Sequence, residues 1–168
     1  MLKILHTADL HLDSAFSGRS EAATARLRQQ LRTVPEKIVE ICRREGCDLL
    51  LLAGDVFDAA PTAETMQLLK KALSDVQIPV FISPGNHDFC APASPWLTGT
   101  WPENVHIFTR PEMESYPLPE LNCRIYGAAF TGMDSLALLT DFHAEGTERY
   151  ALLALHGDPT NPSPPYNP

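Results

Sequence analysis

Polar side chains that can bind a metal ion follow four separate apolar segments of this sequence. They are Asp9 and His11, Asp55 and Asp58, Asn86 and His87, and finally His156. Carboxylates, imidazoles and an amide oxygen, without thiolates, are typical ligands of a catalytic manganese, iron or zinc site rather than of a structural zinc site. Two such ions bridged by one carboxylate would activate water for phosphoryl displacement. The residue types therefore indicate a hydrolytic metal centre.

The apolar segments before these residues are typical of buried strands. The run 49–53 is unbroken and is closed by a glycine, which indicates a strand buried on both faces, as in a parallel sheet. Asp55 then stands at the carboxyl end of that strand, where open α/β sheets bind ligands. We predict similar strands at 2–7, 78–83 and 150–155. Four strands that end at the same edge of one sheet would share one pocket.

Helices connect these strands. Residues 20–32 are strong helix formers, and a second helix is predicted from a Thr33 cap to Gly46. A third helix is predicted over 63–74, so the opening is a right-handed βαβ unit of an α/β fold. Further strands are predicted at 105–108 and 122–130, the latter beginning the second sheet of a sandwich.

Composition restricts the function further. The chain has 168 residues, and we expect one domain over 1–158 and a proline-rich loop or disordered end over 159–168. A net charge of -8 argues against a broad basic surface for nucleic acid and favours only local phosphate contacts. The densest basic group is interpreted as a solvated helix face; it comprises Arg26, Arg28, Arg32, Arg43 and Arg44.

The cysteines and the remaining histidines are interpreted as structural. Four cysteines without a Cys-x-x-Cys pair indicate free thiols in a reducing compartment. No apolar run is long enough for a signal peptide or a membrane span, so we expect a cytoplasmic protein. His6, His106 and His143 are interpreted as surface or hydrogen-bonded histidines rather than ligands.

The motifs that contain the polar residues resemble those of the calcineurin-like metallophosphoesterases. The four motifs are Asp9-Leu10-His11, Gly54-Asp55-Val56-Phe57-Asp58, Gly85-Asn86-His87-Asp88 and His156-Gly157. The opening residues 6–12 are most similar to SbcD/Mre11-type DNA repair nucleases, especially the YhaO-like exonucleases. This resemblance implies a four-layered α/β/β/α sandwich. The family's closing Gly-His-x-His motif is absent after His156, which implies a domain truncated at its C-terminus with both metals under-coordinated.

The resemblance also implies a ligand set. Asp9 and His11 would bind the first metal, Asp55 would bridge, and Asn86 and His156 would bind the second. The implied cofactor is a pair of Mn²⁺ ions, with iron or zinc as alternatives.

Two further residues are implied to be catalytic. His87 matches the family histidine that contacts the phosphate and helps to protonate the leaving oxygen. Asp58 stands where related phosphatases orient that histidine, so we predict a hydrogen bond between Asp58 and His87.

The activity implied by the resemblance is metal-dependent phosphodiester hydrolysis on DNA, as a repair exonuclease or endonuclease subunit. Its implied partners are DNA, an SMC-like ATPase and a second copy of the chain. Two alternatives remain open. One is a phosphoesterase for a small phosphodiester or phosphomonoester, and the other is a non-catalytic binding module of the same fold.

Overall fold

A computed structural model describes residues 1–135, 139 and 142–158. Two sheets and a layer of helices make up the described chain. The strands are β1 (Ile4–Thr7), β2 (Leu49–Ala53), β3 (Val80–Ser83), β4 (Val105–Ile107), β5 (Glu114–Leu118), β6 (Cys123–Gly127) and β7 (Tyr150–Ala154). The helices are α1 (Glu21–Leu31), α2 (Val34–Glu45), α3 (Ala63–Val76) and α4 (Pro95–Thr98), with a 3₁₀ turn at Pro119–Leu121.

The first sheet is parallel and has the order β1-β2-β3-β4. Every residue of β2 is buried, because α2 and α3 cover one face of the sheet and the second sheet covers the other. Leu50 and Leu52 point into the core beneath the helices, whereas Leu49 and Leu51 point into the core between the sheets. Alternate side chains of one strand thus serve two cores, which explains its unbroken apolar sequence.

The sequences of α2 and α3 explain which face of each helix is buried and where the helices begin or end. Ile38, Val39 and Cys42 form the buried face of α2, and Gly46 ends the helix in a left-handed conformation with φ of 62°. Thr62 caps α3, because its hydroxyl accepts a hydrogen bond from the Thr65 amide. Both helices are therefore held by local sequence and by burial.

The second sheet has the order β5-β6-β7, with β5 antiparallel and β7 parallel to β6. Its inner residues, such as Ile125 and Leu152, pack with Leu49, Leu51 and Phe81 of the first sheet. Among the described residues no helix covers the outer face of this sheet, on which Leu153 is exposed. The described helices also include none long and apolar enough to cross a membrane.

The predicted α/β fold class and the βαβ opening are confirmed. One placement was wrong: the strand predicted at 150–155 lies in the second sheet, not beside the other three. Thr33 is at the N-cap of α2, as predicted, but its side chain makes no capping hydrogen bond, because the hydroxyl donates to the Gln30 carbonyl instead. Strand β5 and helix α4 were not predicted, and residues 159–168 lie outside the described part of the chain.

Candidate metal centre

Two glycines allow the strand ends to approach each other. Gly54 has φ of 89°, and a Cβ atom there would lie 2.2 Å from His156 Nδ1. A Cβ atom on Gly85 would lie 2.2 Å from Asp55 Oδ1. The loops after β2, β3 and β7 can therefore converge only because these positions carry no side chain.

The loop after β1 is held along the loop after β2. The Asp9 amide donates to the Gly54 carbonyl, and the His11 amide donates to the Asp55 carbonyl, both at 3.0 Å. Asp9, His11 and Asp13 all have positive φ, at 55°, 45° and 62°. The loop thus uses left-handed residues at alternate positions, a conformation that costs free energy unless the surroundings hold it.

Asp13 anchors this loop to the start of α3. Its carboxylate accepts hydrogen bonds from the Thr62 amide and hydroxyl, the Thr65 hydroxyl and the Arg32 guanidinium. Burial acts to raise the pKa of Asp13, but these hydrogen bonds together lower it. Arg32 was interpreted as part of a solvated face, yet the structure uses it in this anchor.

Asp55 lies at the centre of the site and is 3% exposed. One oxygen, Oδ1, accepts a hydrogen bond of 3.0 Å from the His87 amide. The other, Oδ2, lies 3.7 Å from His11 Nε2 and 3.4 Å from His156 Nε2. One buried carboxylate thus faces imidazoles from both sheets, as a bridging ligand would.

The same two imidazoles are held through their second nitrogen. His156 Nδ1 lies 3.2 Å from the Ala53 carbonyl oxygen, and His11 Nδ1 lies 2.9 Å from Asp58 Oδ1. Because a carbonyl can only accept, Nδ1 of His156 is the donor in this contact, and Nε2 is directed toward Asp55. This arrangement is usual for histidines that bind metals. His156 Nε2 also lies 3.1 Å from Asn86 Oδ1, so the two residues predicted to share a metal are adjacent.

Asp58 lies between two histidines. Its Oδ1 is hydrogen-bonded to His11 Nδ1 at 2.9 Å and lies 3.2 Å from His87 Nδ1, so the hydrogen bond to His87 stays a prediction. Burial acts to raise the pKa of Asp58, but hydrogen bonds from His11, Ser14 and the Ala15 amide lower it overall. The carboxylate is therefore ionised at neutral pH.

A cavity of about 500 Å³ opens over these residues. Its lining includes Asp9, His11, Asp55, His87 and His156. The exposed His6 and the half-buried Asp158 also line it, although neither was predicted as a site residue. The signal for His6 was its position at the carboxyl end of β1, where alternate side chains point toward the second sheet.

Asp88 is a buried acidic residue near the proposed ligands, and it was not among the predicted site residues. It is 8% exposed and accepts hydrogen bonds from the amides of Gly85, Val56 and Phe57. Burial raises the pKa of Asp88 to about 6, even though these amides favour its carboxylate form.

The donor atoms fit divalent ions. They form two overlapping groups, His11 with Asp55 and His87, and Asp9 with Asp55 and His156, each with its donor atoms within 4.8 Å of one another. Carboxylate and imidazole donors without thiolate are suited to catalytic Mn²⁺, Fe²⁺ or Zn²⁺. Asp55 belongs to both groups, which agrees with a bridging role. The division of ligands between two ions stays a prediction, since Asp9 lies 3.8 Å from His11 Nε2 and also shares a donor group with His156.

The sequence is similar to a known protein family and to individual members of it. The profile of the calcineurin-like phosphoesterases matches residues 2–165. The chain is 40% identical over 124 residues to the protein named uncharacterized metallophosphoesterase YhaO from Bacillus subtilis, covering 68% of this chain and 30% of that protein. It is 27% identical over 158 residues to the D component of the nuclease SbcCD from Staphylococcus saprophyticus, covering 90% of this chain and 40% of that protein. The matches thus span less than half the length of either relative.

Proposed function

Because the chain belongs to the calcineurin-like phosphoesterase family, we propose that it forms the metal centre of a phosphodiesterase that cleaves DNA. Phosphoester hydrolysis with a divalent metal is the activity of the family. We further propose DNA as the substrate, manganese as the cofactor, and an SMC-like ATPase and a second copy of the chain as partners.

The observation that carries the proposal is the position of Asp55. It is almost fully buried, and within the described chain its oxygens meet no lysine or arginine, only the imidazoles of His11 and His156 and one amide. A buried carboxylate in such surroundings is stabilised by a bound cation. Its membership of both donor groups supports a bridging role between two ions.

The proposed ligands are Asp9, His11, Asp55, Asn86 and His156. Bound divalent ions would polarise the phosphate and lower the pKa of a water nucleophile. The protein's own contribution is to hold the imidazole Nε2 atoms toward Asp55, through the bonds of His11 to Asp58 and of His156 to Ala53. These bonds keep the ligands in place before an ion arrives, which reduces the cost of reorganisation.

His87 is the proposed proton donor to the leaving oxygen. It lines the cavity, its side chain is 38% exposed, and Asp58 lies 3.2 Å from its Nδ1. A proton held at Nδ1 by the carboxylate leaves Nε2 directed to other partners, including a substrate oxygen. The ionised Asp58 would stabilise the imidazolium from which the proton is transferred.

DNA is supported as the substrate by the relative named as a component of the nuclease SbcCD. The resemblance to SbcD-type nucleases further supports an SMC-like ATPase partner and a homodimer. A small phosphodiester or phosphomonoester is the second candidate. It is favoured by the net charge of -8, which opposes extensive contact with the DNA backbone. The non-catalytic alternative is disfavoured, because each proposed ligand that the motifs place is able to bind a metal.

The test compares Mn²⁺-dependent cleavage of end-labelled linear duplex DNA, a chromogenic phosphodiester and a chromogenic phosphomonoester. The proteins are this chain, any longer protein that contains it, and the Asp55→Ala and Asp134→Ala variants of each. Asp134 is an exposed aspartate outside the cavity and serves as the matched control.

We expect Mn²⁺-dependent cleavage of DNA that Asp55→Ala abolishes and Asp134→Ala retains. Hydrolysis of the small esters alone would refute the DNA assignment and support the second candidate. A longer protein that is folded and binds DNA but hydrolyses none of the substrates would support the non-catalytic binding module instead.

A further inference from the structure

The carboxylate of Asp88 joins two segments that carry proposed metal ligands. Its Oδ2 accepts the Val56 amide at 2.9 Å and the Phe57 amide at 3.2 Å, and its Oδ1 accepts the Gly85 amide at 2.8 Å. Val56 and Phe57 directly follow Asp55, whereas Gly85 directly precedes Asn86. Each oxygen therefore serves a different loop.

The two loops must lie at one particular separation. Gly85 approaches Asp55 so closely that a Cβ atom would overlap its carboxylate, and the His87 amide donates to Asp55 Oδ1 at 3.0 Å. A shift of either loop would therefore move Asp55 relative to Asn86 and His87. The peptide of Asp88 is itself fixed, because the Trp96 indole donates to its carbonyl at 2.6 Å.

We propose that Asp88 is a positioning residue of the metal centre, which sets the separation of the Asp55 loop from the Asn86 and His87 loop. This inference rests on the proposed function, since it assumes that the cavity binds metal. Asp88 lies outside both donor groups and does not line the cavity, so it acts through its neighbours rather than as a ligand.

The chemistry of the donors requires two acceptor oxygens at this position. All three bonds come from backbone N–H groups, and both carboxylate oxygens are used. An asparagine has one acceptor oxygen, and its amide NH₂ would face an N–H group instead of accepting from it. Asp88→Asn therefore keeps the size of the side chain but releases one of the two loops.

The experiment measures Mn²⁺ affinity by calorimetry and Co²⁺ affinity by the visible absorption of the bound ion. It is performed on the whole chain at a temperature where circular dichroism shows each variant folded. The variants are Asp88→Asn and Asp88→Glu, with Ser94→Ala and Val76→Ala as controls. The buried Ser94 hydroxyl makes no hydrogen bond within the described chain, and Val76→Ala weakens packing in the core beneath α3 while leaving the hydrogen bonds of Asp88 in place.

We expect Asp88→Asn to weaken Mn²⁺ binding by about 10- to 100-fold, the range found for residues that orient metal ligands, and to change the Co²⁺ spectrum. Asp88→Glu should weaken binding less, because it keeps both oxygens but displaces them. Both controls should bind as the unchanged protein does.

Two results would overturn the positioning role. One is an Asp88→Asn variant that is less stable but has unchanged metal affinity and an unchanged Co²⁺ spectrum. The other is failure of both Asp88 variants to fold without metal, because Asp88 would then be needed for the fold itself. If the unchanged protein bound neither ion, the proposed function would fail instead, so the two failures are distinguishable.

Discussion

Replacing Gly54 with alanine should damage both the fold and the metal centre. The backbone at Gly54 has φ of 89°, and a left-handed conformation costs an alanine roughly 1–2 kcal/mol. In addition, the new methyl group would lie 2.2 to 2.4 Å from three atoms of His156, including its Cβ. Since that atom is fixed to the backbone, rotation of the imidazole alone cannot relieve the overlap. Overpacking of this kind costs about 1–3 kcal/mol, so the expected total is about 2–5 kcal/mol.

Substitutions at two other glycines separate the cost of the left-handed backbone from the cost of the steric overlap. Gly46 also has a left-handed φ, of 62°, but no atom of the described chain lies within 4 Å of the place that an added methyl group would take. Gly46→Ala should therefore cost only the backbone part, about 1–2 kcal/mol. Gly132 has neither restriction, so Gly132→Ala should be neutral or stabilising by up to about 1 kcal/mol. Urea unfolding in EDTA measures all three free energies of unfolding, and Mn²⁺ calorimetry measures the site.

Gly54→Ala should destabilise the protein more than Gly46→Ala, and it alone should weaken Mn²⁺ binding, because His156 must leave its bond to the Ala53 carbonyl. If Gly54→Ala and Gly46→Ala lowered the free energy of unfolding equally, the close approach of His156 would add nothing to the cost of the Gly54 substitution. If Gly54→Ala bound Mn²⁺ normally, His156 would not be a ligand held at this position. Either result would refute the reasoning about this loop.

Three other predictions concern separate parts of the molecule. Asp58→Asn should weaken Mn²⁺ binding by about 10-fold or more in calorimetry, because it removes the carboxylate that faces two imidazoles; an unchanged affinity would show that those contacts are not used. Cys47 should react first with a thiol reagent at pH 8, because the three other cysteines are buried. Peptide mapping identifies the labelled cysteine, and early labelling of any other cysteine would contradict the fold. The hydrogen bond from Arg124 lowers the pKa of Glu148 below 4.5, so the pair stabilises the fold above that pH and the benefit is lost as the pH falls through the lowered pKa. Urea midpoints of the unchanged protein and Glu148→Gln should therefore converge on acidification, and a constant gap would refute the ionic contribution.

The sequence alone predicted the parts of the fold that depend on local pattern. The continuous run in β2 and the glycine after it located Asp55 correctly, because burial on both faces leaves a distinctive apolar segment. Strand β5 was missed because Glu114–Leu118 includes a proline and exposed residues, which weakens the alternation. Strand β7 was recognised but assigned to the wrong sheet, since an apolar run does not specify its neighbour.

Five of the predicted site residues line one cavity; they are Asp9, His11, Asp55, His87 and His156. Asp58 and Asn86 do not line it, but they contact His11 and His156 respectively, and the roles of all seven stay predictions. The bond between His11 and Asp58 and the bracing of two loops by Asp88 were not foreseen. The first joins residues far apart in the chain and the second acts through backbone amides, so neither leaves a spacing signal in the sequence.

The donor atoms come from two different sheets, and this has a consequence for the mechanics of the protein. Asp55 follows β2 of the first sheet, and His156 follows β7 of the second, so an ion held by both would cross-link the two layers. Ligand at 100 times its dissociation constant stabilises a folded protein by about 2.7 kcal/mol. Removing the metal should therefore speed amide hydrogen exchange most in β7, which is at one edge of the second sheet in the described part of the chain, while exchange in β2 stays slow. The bound ion would then determine how firmly the sandwich is closed as well as what it can hydrolyse.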